Sequence, residues 1–344
     1  MSPAGGVTAS PAGTGPSGQH GVVAVVGEAL MDLVPAAVGG VFEATPGGSP
    51  ANVAVGLARL GVPTFLVARL SDDALGRRLR AHLEGNGVDL SRAVRAAEPS
   101  SLAIVRLDGG GVPDYDFRVD GTADWQWRDE ELNGVLDGVA AVHAGSLALV
   151  LPPGAAALRR LLLAARLTAT VSYDPNVRPA LMGSPAAVRE WAESLVEIAD
   201  VVKASVDDMA WLFPGRSPED IATDWAARGP AVVAITLGHN GVIAAARDTG
   251  LLRRPGRPVT VADTVGAGDS FMSGLLAGLH SRGLLGAGER DALTAIPTAA
   301  LSDVLDEAVL AASITCMRRG AQPPTLDELR AARLPFGPIG TSAR

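Results

Sequence analysis

"DTVGAGDSF", residues 263–271, places Gly266, Ala267 and Gly268 directly before an acid, Asp269, where a run begins in which Phe271, Leu275, Leu276 and Leu279 share one helical face. Small residues at a helix start leave amides uncovered at the positive end of the helix dipole, and such a nest receives anions. Glycine also lets a phosphoryl group approach the backbone closely. The same letters read equally as a plain glycine turn with Asp269 as the helix N-cap. The rest of the chain has to decide between the two.

Other phosphate devices are missing from the sequence. No G-x-x-x-x-G-K-[ST] occurs, and Lys203, the sole lysine, is remote in sequence from every Gly-rich loop. Phe271 stands where a dinucleotide fingerprint needs its third glycine. "GTGPSG", Gly13 to Gly18, fits that fingerprint in letters only, because no strand precedes it and Pro16 interrupts it. A net charge of -8, with scattered arginine pairs, argues against nucleic acid and anionic membranes. The single cysteine, Cys316, excludes an internal disulfide, suits a reducing compartment and reads as a small buried hydrophobe. The five histidines show no zinc spacing and read as structural or surface groups. Residues 1–19, rich in Pro, Gly, Ser and Ala, match neither a signal peptide nor a folded element. They are expected to be a disordered tail, as 336–344 are a flexible one, on a cytoplasmic protein with no membrane span.

From residue 22 onward, β-branched runs such as "VVAVVG", "TFLVARL", "TVSYD", "VVKAS" and "AVVAITLG" alternate with amphipathic stretches. That rhythm predicts an α/β fold, a central mostly parallel sheet with helices on both faces, over residues 20–335. It breaks at about 28–45 and at 100–120, where extended runs follow one another without helices. These segments are expected to form a small antiparallel β lid over the carboxyl ends of the strands, where open parallel sheets bind ligands.

"DTVGAGDSF" resembles the second signature of the ribokinase-like sugar kinases, the phosphofructokinase-B family, and "GGSPANVAVGLARLG", Gly47 to Gly61, resembles their first. Both stand in the family's order. "GEALMDLVP", "GTADWQW", "DPNVRP" and "TLGHNG" are most similar to the bacterial fructokinase branch. The resemblance implies a kinase that transfers the γ-phosphoryl group of ATP to a sugar hydroxyl, with fructose as the best single sugar, Mg²⁺ as cofactor and a monovalent cation such as K⁺ as a possible second one. It implies Asp269 as the base that takes the sugar proton, and the amides of Gly266, Ala267 and Gly268 as an anion hole. That division of labour suits phosphoryl transfer, which needs positioning and charge stabilisation more than covalent help.

The same resemblance puts the sugar on Asp32, Gly47, Gly48 and Asn52, although Asn52 alone reads equally as a helix-start cap. Arg178 of "DPNVRP" is a candidate to clamp a phosphate or substrate oxygen, oriented by Asp174; taken alone it reads as a surface ion pair. Thr236, Gly238 and Gly241 fall where the family passes a loop under ATP, and Lys203 joins them as a candidate for the nucleotide. Ser205 and Asp208 replace the family's Asn-x-x-Glu, so Asp208 is a candidate to hold Mg²⁺ only through water. One alternative on this fold is a kinase of 2-keto-3-deoxygluconate, which needs a lid cation for a carboxylate and finds only Arg118. The other is a sugar sensor without catalysis. Open lid edges suggest a homodimer through the lid.

Overall fold

The computed structural model describes residues 21–36, 40–107, 113–247 and 249–333. Residues 1–20, 37–39, 108–112, 248 and 334–344, which include both expected tails and His20, lie outside the described residues. In chain order the strands are β1 (Val22–Val26), β2 (Leu30–Pro35), β3 (Phe42–Gly47), β4 (Thr64–Val67), β5 (Arg69–Ser71), β6 (Val94–Ala96), β7 (Leu102–Leu107), β8 (Pro113–Arg118), β9 (Val139–Gly145), β10 (Thr170–Asp174), β11 (Val201–Ser205), β12 (Val232–Thr236), β13 (Val242–Ala246) and β14 (Gly250–Arg254).

Eight of them make one sheet in the order β14-β13-β12-β11-β10-β9-β1-β4, parallel from β12 to β4 and antiparallel at β13 and β14. The period-2 alternation explains why both faces are covered. In β1, Ala24 and Val26 join an apolar cluster with Leu158, Leu195 and Trp225, while Val23 and Val25 join another with Leu57, Leu275 and Leu305. Helix 267–280, which follows the opening motif, is buried along nearly its whole length. It packs on helices 49–59 and 298–316, with Gly274 so close to Ala308 that a Cβ would stand 2.8 Å from its Cα.

The lid is a separate four-stranded sheet, β3-β2-β7-β8. The expected segments form it, but it is mixed rather than antiparallel, because the inner strands β2 and β7 run parallel, with Asp32 beside Ala103. Each of the two hairpins enters from the body on its first strand, and those first strands lie side by side in the same direction. "TFLVARL" is not one strand: it splits into β4 and β5, and β5 leaves the main sheet to pair with β6. Cys316 closes helix 298–316 only half buried, so it is not the core residue its chemistry suggested. Among the described residues, no helix is long and apolar enough to cross a membrane.

Candidate active site

Helix 267–280 begins at Ala267 with Gly266 as its N-cap in the left-handed region, φ 74°. Asp269 is therefore the third helical residue and not the cap. Its carboxylate is held from across the molecule: Ser49 Oγ donates to Oδ1 at 2.7 Å and Asn52 Nδ2 donates to Oδ2 at 2.8 Å. Ser49 and Asn52 lie in the first turn of helix 49–59, whose N-cap is Gly48, so Asn52 does not cap that helix either. The two signature motifs, 220 and 217 residues apart at these bonds, thus meet on one acid. Ser49 was not singled out from the sequence; a hydroxyl at the first position of a glycine-preceded helix was the available signal.

The small residues of the nest answer to the protein as well as to any ligand. A Cβ on Gly266 would stand 2.5 Å from Ala321 Cβ, and one on Gly268 would stand 3.0 Å from Lys203 Nζ. Lys203, in β11, is buried beneath the nest and donates to Asp174 Oδ2 at 2.8 Å. Burial pulls its amine down, but the carboxylates of Asp174, Asp208 and Asp269 more than reverse this and hold the amine charged. Asp174 therefore partners Lys203 and does not orient Arg178. Arg178 instead donates from Nη1 to Asn176 Oδ1 at 2.8 Å and to the Asn176 and Val177 carbonyls. Asn176 adopts φ 39° to make this fold-back, a conformation asparagine tolerates better than most residues.

Asp32 projects from β2 on the lid. Gly47 leaves room for it: a Cβ there would meet Asp32 Oδ2 at 2.2 Å. Burial lifts the Asp32 carboxyl to about 6, against the pull of the Arg178 guanidinium and with a push from Asp269. The charges of Arg178 and Asp269 thus both act on Asp32. If Asp32 accepts substrate hydroxyls as a carboxylate, protonation removes an acceptor, so sugar binding should weaken as pH falls through about 6. Sugar KM measured from pH 5 to 8, values chosen to bracket about 6, checks this; a KM flat across that range removes Asp32 as an ionised acceptor.

Thr236, Gly238 and Gly241 lie at the carboxyl end of β12, where Thr236 is in register with Ser205 of β11. Gly238 and Gly241 have positive φ, 57° and 93°, and Gly241 packs so tightly under Arg254 that a side chain is excluded. His239 is exposed in this turn. Asp208 forms a capping box with Ser205: its Oδ2 accepts from the Ser205 amide and hydroxyl, both at 2.7 Å, and its Oδ1 accepts from the Val177 amide at 2.7 Å. Those bonds engage both oxygens of a carboxylate that is itself buried, so Asp208 is not free for direct metal ligation. Among the described residues, no group of three or more His, Cys, Asp or Glu is arranged to hold a metal. Arg118 lies one residue out of phase with Phe117, which is in register with Ala103 beside Asp32. It therefore projects from the opposite face of the lid sheet to Asp32, exposed and paired with Asp116 at 2.5 Å.

Residues 22–328 match the family model described as pfkB family carbohydrate kinase. The chain is 35% identical over 271 residues to a fructokinase of Klebsiella pneumoniae, covering 77% of this chain and 86% of that one. A fructokinase structure from Xylella fastidiosa with bound ATP superposes with a TM-score of 0.82 at 26% identity, over 90% of this chain and 97% of that one. A double-mutant fructokinase from Vibrio cholerae O395, in its fructose-, ADP- and potassium-bound form, superposes with a TM-score of 0.77 at 26% identity, over 92% and 98%.

Proposed function

The chain belongs to the pfkB family of carbohydrate kinases, and on that premise we propose that it transfers the γ-phosphoryl group of ATP to a hydroxyl of fructose. The observation that carries this reading is Asp269 itself, fixed by Ser49 and Asn52 beside an amide nest. In this reading the sugar lies between lid and body, with Asp32, Asn52 and the Gly47–Gly48 backbone on its hydroxyls and Arg178 at its rim. Asp269 takes the proton of the attacking hydroxyl. The amides of Gly266 and Gly268 receive the charge that develops on the transferring group, whereas the Ala267 amide donates to the Thr264 carbonyl at 3.2 Å; Lys203 adds a fixed cation beneath them.

ATP would run from the nest toward the Thr236–Gly241 turn. Mg²⁺, carried on the triphosphate, would neutralise phosphate charge and touch the protein through water at Asp208. A K⁺ requirement is part of the proposal, prompted by the ion in the Vibrio cholerae relative. The lid cation that a 2-keto-3-deoxygluconate kinase needs faces away from the site, so that alternative gains no support from Arg118.

A coupled assay of ADP formation tests the substrate, with fructose, ribose, 2-keto-3-deoxygluconate and nucleosides as acceptors in KCl and in choline chloride. Fructose should give the largest kcat/KM and KCl the faster turnover. Preference for 2-keto-3-deoxygluconate would overturn the fructose assignment.

The lid also carries exposed Val41 and Phe42, and its outer strands β3 and β8 have open edges. An apolar sheet with open edges is a pairing surface, and the proposal extends to a homodimer formed through it. Sedimentation should give a dimer that Phe42→Lys converts to monomer; a monomeric wild type at micromolar concentration would refute it.

A further inference from the structure

We infer that Glu28 and Asp124 are positioning residues that hold the lid over the site, a buried carboxyl pair at which three of the four chain crossings between lid and body are tied together. The chain passes between body and lid at 27–29, 47–49, 97–101 and 119–123. Asp124 Oδ1 accepts from the Ala29 amide of the first crossing at 2.8 Å, and its Oδ2 accepts from the Ser101 hydroxyl of the third at 2.5 Å. Ser101 Oγ also bonds Thr122 Oγ1 of the fourth crossing at 2.6 Å. The second crossing runs beside the backbone of the first, since a Cβ on Gly48 would lie 2.8 Å from the Glu28 carbonyl oxygen. Glu28 is anchored to the body in turn: its Oε2 accepts from the Ala148 amide at 3.2 Å and the carboxyl bonds Ser146, which adopts φ 58° just beyond β9.

Glu28 and Asp124 are 1% and 2% exposed, so both acids sit inside the protein. The cation beside them, Arg69, does not neutralise them: it bonds the Ala123 carbonyl, Glu98 and Glu131. Burial lifts Glu28 to about 7, with the charge of Asp124 adding to the lift, and burial lifts Asp124 to about 6. Both values lie above the ordinary carboxylate range, so the folded root holds protons that the unfolded chain gives up. Its stability is therefore greatest at low pH and falls as pH rises toward about 7, where two unscreened charges would face each other. Glycine-preceded Glu28 and the acid of "GTADWQW" thereby gain a task that the transfer chemistry does not assign to them.

Hydrogen exchange, corrected for intrinsic rates, reads the lid without needing activity. In Asp124→Ala the amides of β2, β3, β7 and β8 should exchange about tenfold faster while those of β9 to β12 stay unchanged. Ser101→Ala, which removes one bond and no charge, should shift the same amides less and serves if Asp124→Ala does not fold. Glu28→Gln keeps the shape without the charge and should flatten the pH dependence of lid exchange between about pH 4 and 7. Exchange that rises equally in lid and body, or in neither, overturns the inference. Its catalytic consequence, a rise in sugar KM with ATP KM held within about twofold, rests on the kinase reading. A wild type that consumes no ATP with any sugar would sink that reading and leave the exchange result standing.

Discussion

Replacing Asp269 with Asn lowers kcat by about two to four orders of magnitude, the usual contribution of a positioned general base, while sugar KM changes little. Asparagine fills the same space and its oxygen still accepts one of the bonds from Ser49 and Asn52, so the fold should survive. What it loses is the second acceptor and the ability to take a proton. Steady-state kinetics on a variant with unchanged unfolding temperature checks this. Near-full activity in Asp269→Asn would remove Asp269 as the base, and an equal loss of stability would turn the result into one about packing.

The second large effect is expected at Lys203, the sole lysine in a chain whose other basic residues are arginine. Lys203→Met leaves Asp174, fully buried, without the cation that donates to it at 2.8 Å. Breaking a buried ion pair from one side costs about 3–5 kcal/mol, because the remaining charge is uncompensated. Replacing both partners is often neutral, so Lys203→Met with Asp174→Leu should regain most of that stability. Activity should not return with it, since the cation beneath Gly268 is still gone. Urea unfolding and kcat on the two variants separate these effects. Full activity in the stable double variant would reduce Lys203 to a structural residue.

Much of the fold was legible because its cause is local. Alternating Val23–Val26 and the repeated strand-then-helix runs require a sheet covered on both faces, and the gap in helices at 28–45 and 100–120 marked the lid. The parallel pairing of β2 with β7 was not legible, because it follows from where two hairpins leave the body. The nest and the first signature were visible as motifs, yet their meeting at Asp269 depends on bonds that span more than 200 residues. Asp174 was assigned to its sequence neighbour Arg178, whereas the sheet sets it beside Lys203 on the adjacent strand. Gly266 and Gly268 read as room for a ligand, but Ala321 and Lys203 occupy the space a side chain would need. Asp208 is the opposite case: Ser205-x-x-Asp208 is a local capping signature, and its carboxylate is spent on that cap.

The most direct test of the central claim is to follow ATP and fructose with the wild-type protein by phosphorus NMR. ADP and one sugar phosphate ester should appear in equal amounts, only when sugar is present. ATP hydrolysed to inorganic phosphate without an ester, or left intact with every sugar offered, would contradict it.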